Sequence, residues 1–170
     1  MALASLVSLN VQATQDAALD LGKAAFNASK TYSVSYQNGV AAGQANKLFT
    51  DTRTIAASAN DDLDLNGVLT DAFGGSLALL RVKGLVVAAA AGNSNDVVVG
   101  GAASNPWLAP FGAGTHTLKV KPGGVLALFA GIADATAWPV VAATGDILRI
   151  ANGGAGTPVT YDIVIIGADA

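Results

Sequence analysis

The chain has 170 residues, enough for one domain with a sizeable core but too few for a second full one, since a domain near 150 residues buries roughly two-thirds of its unfolded surface. Apolar residues make up 52% and charged residues only 12%, against roughly a quarter in ordinary globular proteins, so much of the surface is neutral or destined to be covered. A net charge of −3 excludes the basic footprint of a nucleic-acid binder, and zero cysteines exclude disulfides, thiolate nucleophiles and Cys-based zinc sites.

All twelve acids are aspartate, which prefers caps and turns, so long surface helices are disfavoured from the start. The first twelve residues lack a basic region, and Ser5, Ser8 and Asn10 interrupt their apolar positions, so no signal peptide is expected. Val7, Leu9 and Val11 alternate with polar residues at the period of a half-buried strand, as do Tyr32, Val34 and Tyr36, and Asn38-Gly39 supplies a turn. Residues 14–26 admit either a helix along Ala17, Ala18, Leu21 and Ala25 or a strand holding Leu19, Leu21 and Lys23. The strand is the expectation. Val40 to Asn46 is small and polar, as a linker is. Residues 1–46 therefore read as an N-terminal arm or accessory hairpin, with Leu3, Val7, Leu9, Val11, Tyr32 and Tyr36 as its contact residues, and residues 47–170 as the core domain.

Short Val, Ile, Leu and Ala runs broken by glycine then predict strands over 47–57, 61–65, 77–90, 96–100, 115–121, 125–130, 138–142, 146–151 and 157–167. Nine such strands without a helical crossover predict an all-β fold, a two-sheet antiparallel β-sandwich of jelly-roll or Greek-key type. Within 77–90, Leu80, Val82, Gly84 and Val86 alternate with Arg81, Lys83 and Leu85, and Gly84 marks a bulge or a close backbone approach. Val97 to Leu118 is free of charge, but its prolines and glycines exclude a membrane span. The last strand begins by alternating and ends wholly apolar, as a central strand buried on both faces does.

Asp62, Asp64 and Asn66, followed by Gly67, match the opening of a calcium-binding EF-hand loop, but Phe73 stands where the bidentate glutamate belongs. A strand with Leu63 and Leu65 inward and both aspartates in water is the simpler reading. His116 is the single histidine and lies between threonines on an expected strand, so no serine triad is drawn from it. Trp107 and Trp138, each next to a proline, read as caps on the core or as sugar-stacking aromatics of a lectin-like groove. No residue stands out as catalytic and no cofactor is called for.

Several blocks resemble a group of small virion structural proteins of tailed bacteriophages: Phe49 to Ala57, Asp62 to Gly74, Asn93 to Asn105, Val120 to Gly124, and Thr144 to Asn152 continuing through Tyr161 to Gly167. The resemblance implies a capsid decoration or minor capsid protein, made in the host cytoplasm and placed on the capsid exterior. Its implied partners are the major capsid protein and copies of itself, as a homotrimer, with no nucleic acid, membrane or small-molecule substrate. The alternative is a carbohydrate- or host-recognition module of a tail or fibre that uses Trp107 and Trp138.

Overall fold

A computed structural model of the chain describes residues 2–170. Twelve strands and no helix are found among them: β1 (Ser5–Leu19), β2 (Gly22–Asn38), β3 (Gln44–Ala45), β4 (Lys47–Ile55), β5 (Asn60–Asp64), β6 (Arg81–Ala89), β7 (Val97–Gly100), β8 (Thr117–Val120), β9 (Val125–Phe129), β10 (Trp138–Pro139), β11 (Ile147–Asn152) and β12 (Val159–Ala168). The core is a two-sheet sandwich. One sheet runs β10-β6-β12-β4, with β9 beside β10 on the same edge of β6, and the other runs β5-β11-β7-β8. Every pairing within these two sheets is antiparallel.

The inward-facing positions of both sheets form one apolar cluster. Phe49 and Ile55, Leu85 and Val87, and Tyr161, Ile163 and Ile165 from the first sheet meet Leu63, Val97, Val99, Leu148 and Ile150 from the second. Alternation is what places them there, because successive side chains of a strand point to opposite faces. A buried amide fixes one end of the stack. Asn152 donates to the carbonyls of Ala56 and Thr157, at 3.1 and 2.8 Å, while its oxygen accepts from Asn95 and from the Gly154 amide.

The alternation in β6 breaks at Lys83. Ile166 pairs with Gly84 and Gly167 with Val82, so Lys83 is an inserted residue and the strand changes phase across it. Val82 and Leu85, three residues apart, therefore both reach the core, whereas uninterrupted period-2 alternation places them on opposite faces. The bulge expected at Gly84 falls one residue earlier, on Lys83, and the close backbone approach falls on Gly167. A Cβ there would stand 2.5 Å from the Arg81 carbonyl.

Other boundaries move for identifiable reasons. Leu77 and Leu79 are fully buried but their amides bond to Leu69 and Leu65, so the strand begins only at Arg81. The strand expected over 138–142 ends at Pro139, and Val141 to Gly145 closes a tight turn instead. Residues 40–46 are no free linker. Ala45 is fully buried, Gln44–Ala45 pairs in parallel with Gln37 and Asn38, and the Ala41 carbonyl accepts from Lys83 Nζ at 2.6 Å.

Candidate functional site

The most exposed feature is the hairpin of β1 and β2. Their register is unbroken from Ser5–Tyr36 to Leu19–Gly22, closed by a two-residue turn of Asp20 and Leu21. Residues 14–26 are thus strand, but the turn divides them, and Leu19 and Lys23 lie on different strands. Fifteen pairs at about 3.4 Å per residue make a ribbon about 50 Å long. Every residue from Ser8 to Ser33 is exposed, so the outer twelve pairs, about 40 Å, leave the sandwich altogether.

Registering the two strands sorts the side chains onto two unlike faces. One carries Val7, Leu9, Val11, Ala13, Gln15, Ala17 and Leu19 opposite Val34, Tyr32, Lys30, Ala28, Phe26, Ala24 and Gly22. The other carries Ser8, Asn10, Gln12, Thr14 and Asp16 opposite Ser33, Thr31, Ser29, Asn27 and Ala25. On the polar face Thr14 donates to Asn27 at 2.8 Å and Asp16 pairs with Lys23. On the apolar face the one charge, Lys30, lies over the Tyr32 ring, 5.9 Å from its centroid. Leu9, Val11, Leu19, Phe26 and Tyr32 are each between 47% and 69% exposed, an apolar strip that water alone leaves unsatisfied.

The foot of the ribbon is anchored. Leu3, Val7 and Val34 pack on Tyr36, Ala45 and Ile166, and this contact covers the outer face of β12. It is why the end of that strand is apolar on both sides. Tyr36 is a correction to the expectation that it belongs to the arm's contact surface. It is 1% exposed, and its hydroxyl lies 2.5 Å from the Ala130 carbonyl and 2.8 Å from the Lys83 carbonyl. Of the six expected contact residues, Leu9, Val11 and Tyr32 stand free, while Leu3, Val7 and Tyr36 hold the foot. Sequence reasoning missed Phe26 and Leu19, whose signal was the continuation of the same alternation through the ambiguous segment.

The remaining candidates have local roles. Trp107 corrects the recognition reading, being 2% exposed, with Nε1 donating to the Pro139 carbonyl at 2.9 Å and its ring edge-on to Phe111. Trp138 is half-buried against the core. Asp62 takes a bidentate contact from Arg149 at 2.6 and 2.7 Å, which holds its carboxyl below the usual range, and Asp64 accepts from the Asn66 amide. Asn66 in turn donates to the Leu79 carbonyl, so these three side chains have protein partners and do not converge as calcium ligands. His116 is exposed just before β8. Among the described residues no three His or acidic side chains gather closely enough to hold a metal. No protein-family model, curated protein or solved structure matches this chain.

Burial shifts three groups, two at the anchor and one in the inter-sheet core. It pushes the Tyr36 phenol up to about 12 and the Tyr161 phenol higher still, Tyr161 also donating to Asp61 at 2.8 Å. It lowers Lys83, with Arg81 adding repulsion. A raised phenol stabilises the fold fully below the unfolded value of 10 and loses that contribution as pH rises toward 12. A lowered lysine acts oppositely, and its penalty fades as pH approaches 10.5. Urea melts should therefore show stability falling above pH 10, by about 2–3 kcal/mol from Tyr36 alone by pH 12. Tyr36→Phe should remove that share of the slope, and an unchanged slope would disprove the assignment.

Proposed function

We propose that the chain is a non-enzymatic structural protein of a tailed-phage virion, of the capsid decoration type, acting on the capsid exterior through extended contacts with the major capsid protein and with copies of itself. The observation that carries the assembly reading is the arm: its outer part, residues 8–19 paired with 22–33, is about 40 Å long and exposed on both sides, with one face apolar but for Lys30 and Gln15. A lone two-stranded hairpin is at best marginally stable in water, so this element is built for a partner to complete. The low charge and the acidic balance suit an outer surface better than one touching packaged DNA.

The strand order supports the reading by analogy. We read β9-β6-β12-β4 facing β5-β11-β7-β8 as the nesting of a double Greek key, or jelly roll, an architecture that recurs in viral capsid domains among others. The glycan-binding alternative loses one of its two aromatics with Trp107 in the core, and Trp138 is half-buried. The test is co-sedimentation of the purified chain with shells of the phage whose genome encodes it. Saturable binding is expected, and a chain that stays in the supernatant at every concentration would end the decoration reading.

A further inference from the structure

We infer that the open edge of β1 pairs with the same edge of a second copy, antiparallel about a two-fold axis at Ala13, so that two arms join into one four-stranded sheet. The pairing deepens the assembly reading above and rests on it only for the arm being an interaction element. β1 stands at the end of a sheet that runs β1-β2-β3, and every residue from Ser8 to Leu19 is exposed. Among the described residues, its far edge has no partner strand.

The phase of the hairpin ladder decides which backbone groups that edge presents. A two-residue turn makes Leu19–Gly22 a hydrogen-bonded pair, so the odd residues of β1 exchange their bonds with β2, and the even ones, from Ser8 to Ala18, direct N–H and C=O outward. A second β1 running antiparallel about a two-fold axis meets them only even against even. Opposed side chains share a face, so the two apolar strips fall on one side of the joined sheet and the two polar faces on the other. With Ala13 on the axis, Ser8 faces the second copy's Ala18, Asn10 its Asp16 and Gln12 its Thr14. Six such pairs with two bonds each give about twelve backbone hydrogen bonds, the source of affinity when a strand is added to a sheet edge. The anchored foot is left as it is, and the second copy's turn comes level with Leu6, which is 69% exposed.

What the edge lacks identifies the occupant. Lysines, prolines, bulges and short length keep natural edges from joining, and a chain meets its own copies first. β4 carries Lys47, Asp51 and Arg53, β5 carries three aspartates, and β8 and β9 are only four and five residues long. The open length of β2 holds Lys23 and Lys30. From Ser8 to Ala18, β1 has no lysine, proline, glycine or bulge, and its one charge, Asp16, is paired with Lys23 and falls opposite an amide. Four strands with a continuous apolar face also remedy the marginal stability of a lone ribbon.

The chain has no cysteine, so Ala13→Cys and Ala28→Cys, opposite one another on the same face of one ribbon, report the geometry by oxidation. Across the joined edge the two substituted positions 13 stand about 4.5 Å apart, within disulfide reach, and the two positions 28 about 14 Å apart, three strand spacings. At about 100 µM full chain, Ala13→Cys should cross-link at least tenfold faster than Ala28→Cys. Light scattering of the unsubstituted chain from about 10 to about 200 µM should show a mass rising toward twice 16.8 kDa. Gln12→Pro removes an outward N–H and no bond to β2, so it should stay monomeric with an unchanged melt. Asn10→Asp and Asn10→Lys, which leave the backbone alone, should weaken and tighten dimerisation by about two- to fivefold through the second copy's Asp16. A chain still monomeric at about 200 µM, cross-linking at position 28 as fast as at 13, or Asn10 variants that shift dimerisation in the same direction would overturn the pairing. A monomer that binds shells would sink the pairing and leave the decoration reading standing. A dimer that ignores shells would do the reverse.

Discussion

Trp107→Ala should lower the unfolding free energy by about 3–5 kcal/mol. The ring sits where the long connection between β7 and β8 folds back onto the sandwich. The Trp107 amide donates to the Ile147 carbonyl at 2.9 Å, tying that connection to β11, and its indole N–H donates to the carbonyl of Pro139 in β10. The side chain thus bridges both sheets, and Phe111 packs edge-on against it at 6.4 Å between centroids. Removing it leaves a cavity and an unpaired carbonyl together. Trp107→Phe keeps most of the volume and should cost about 1–3 kcal/mol, chiefly for the stranded Pro139 carbonyl. Denaturant unfolding separates the two. A loss below 1 kcal/mol for Trp107→Ala would mean that the tryptophan is peripheral and would return it to the list of recognition residues.

The second large effect belongs to Tyr36. Tyr36→Ala should cost about 3–5 kcal/mol, because the ring fills the space between the arm's foot and β12. It should also loosen the arm specifically, with amide protection lost over Val34 to Asn38 and at Gln44 and Ala45 before any other part of the sandwich. Tyr36→Phe retains the packing and loses only the hydroxyl contacts to Lys83 and Ala130, so about 1–2 kcal/mol is expected with the arm still seated. Hydrogen exchange followed residue by residue makes the distinction. Protection lost uniformly in Tyr36→Ala would show that arm and sandwich form one cooperative unit.

What could be read in the sequence, and what could not, divides along one physical line. Alternation tells which side chains share a face, so the strands, the inward Leu63 and Leu65 and the doubly buried end of β12 were all legible. It does not tell what covers a face. Tyr36 and Leu9 carry the same local signal, yet one is sealed by residues 47 and 94 positions away and the other faces water. Trp107 is the same case, since only the return of Pro139 to its indole decides that it is core. The bulge at Lys83 shows a further limit. One inserted residue exchanges the two faces of a strand, and neither glycine nor lysine announces which of them is the insertion. The linker reading of 40–46 failed because small polar residues are equally suited to close packing under a sheet edge.

The central claim is that the sandwich stands alone and the distal arm exists for a partner. Replacing residues 10–31 by Asn-Gly keeps the Leu9–Tyr32 row and the anchored foot while removing most of the apolar strip. The measurement is the melting temperature of that shortened chain together with its mass in solution and its binding to shells. A melt within a few degrees of the full chain, with shell binding lost, is the predicted result. A shortened chain that assembles and binds as the full one does would contradict the claim, and so would one that no longer folds.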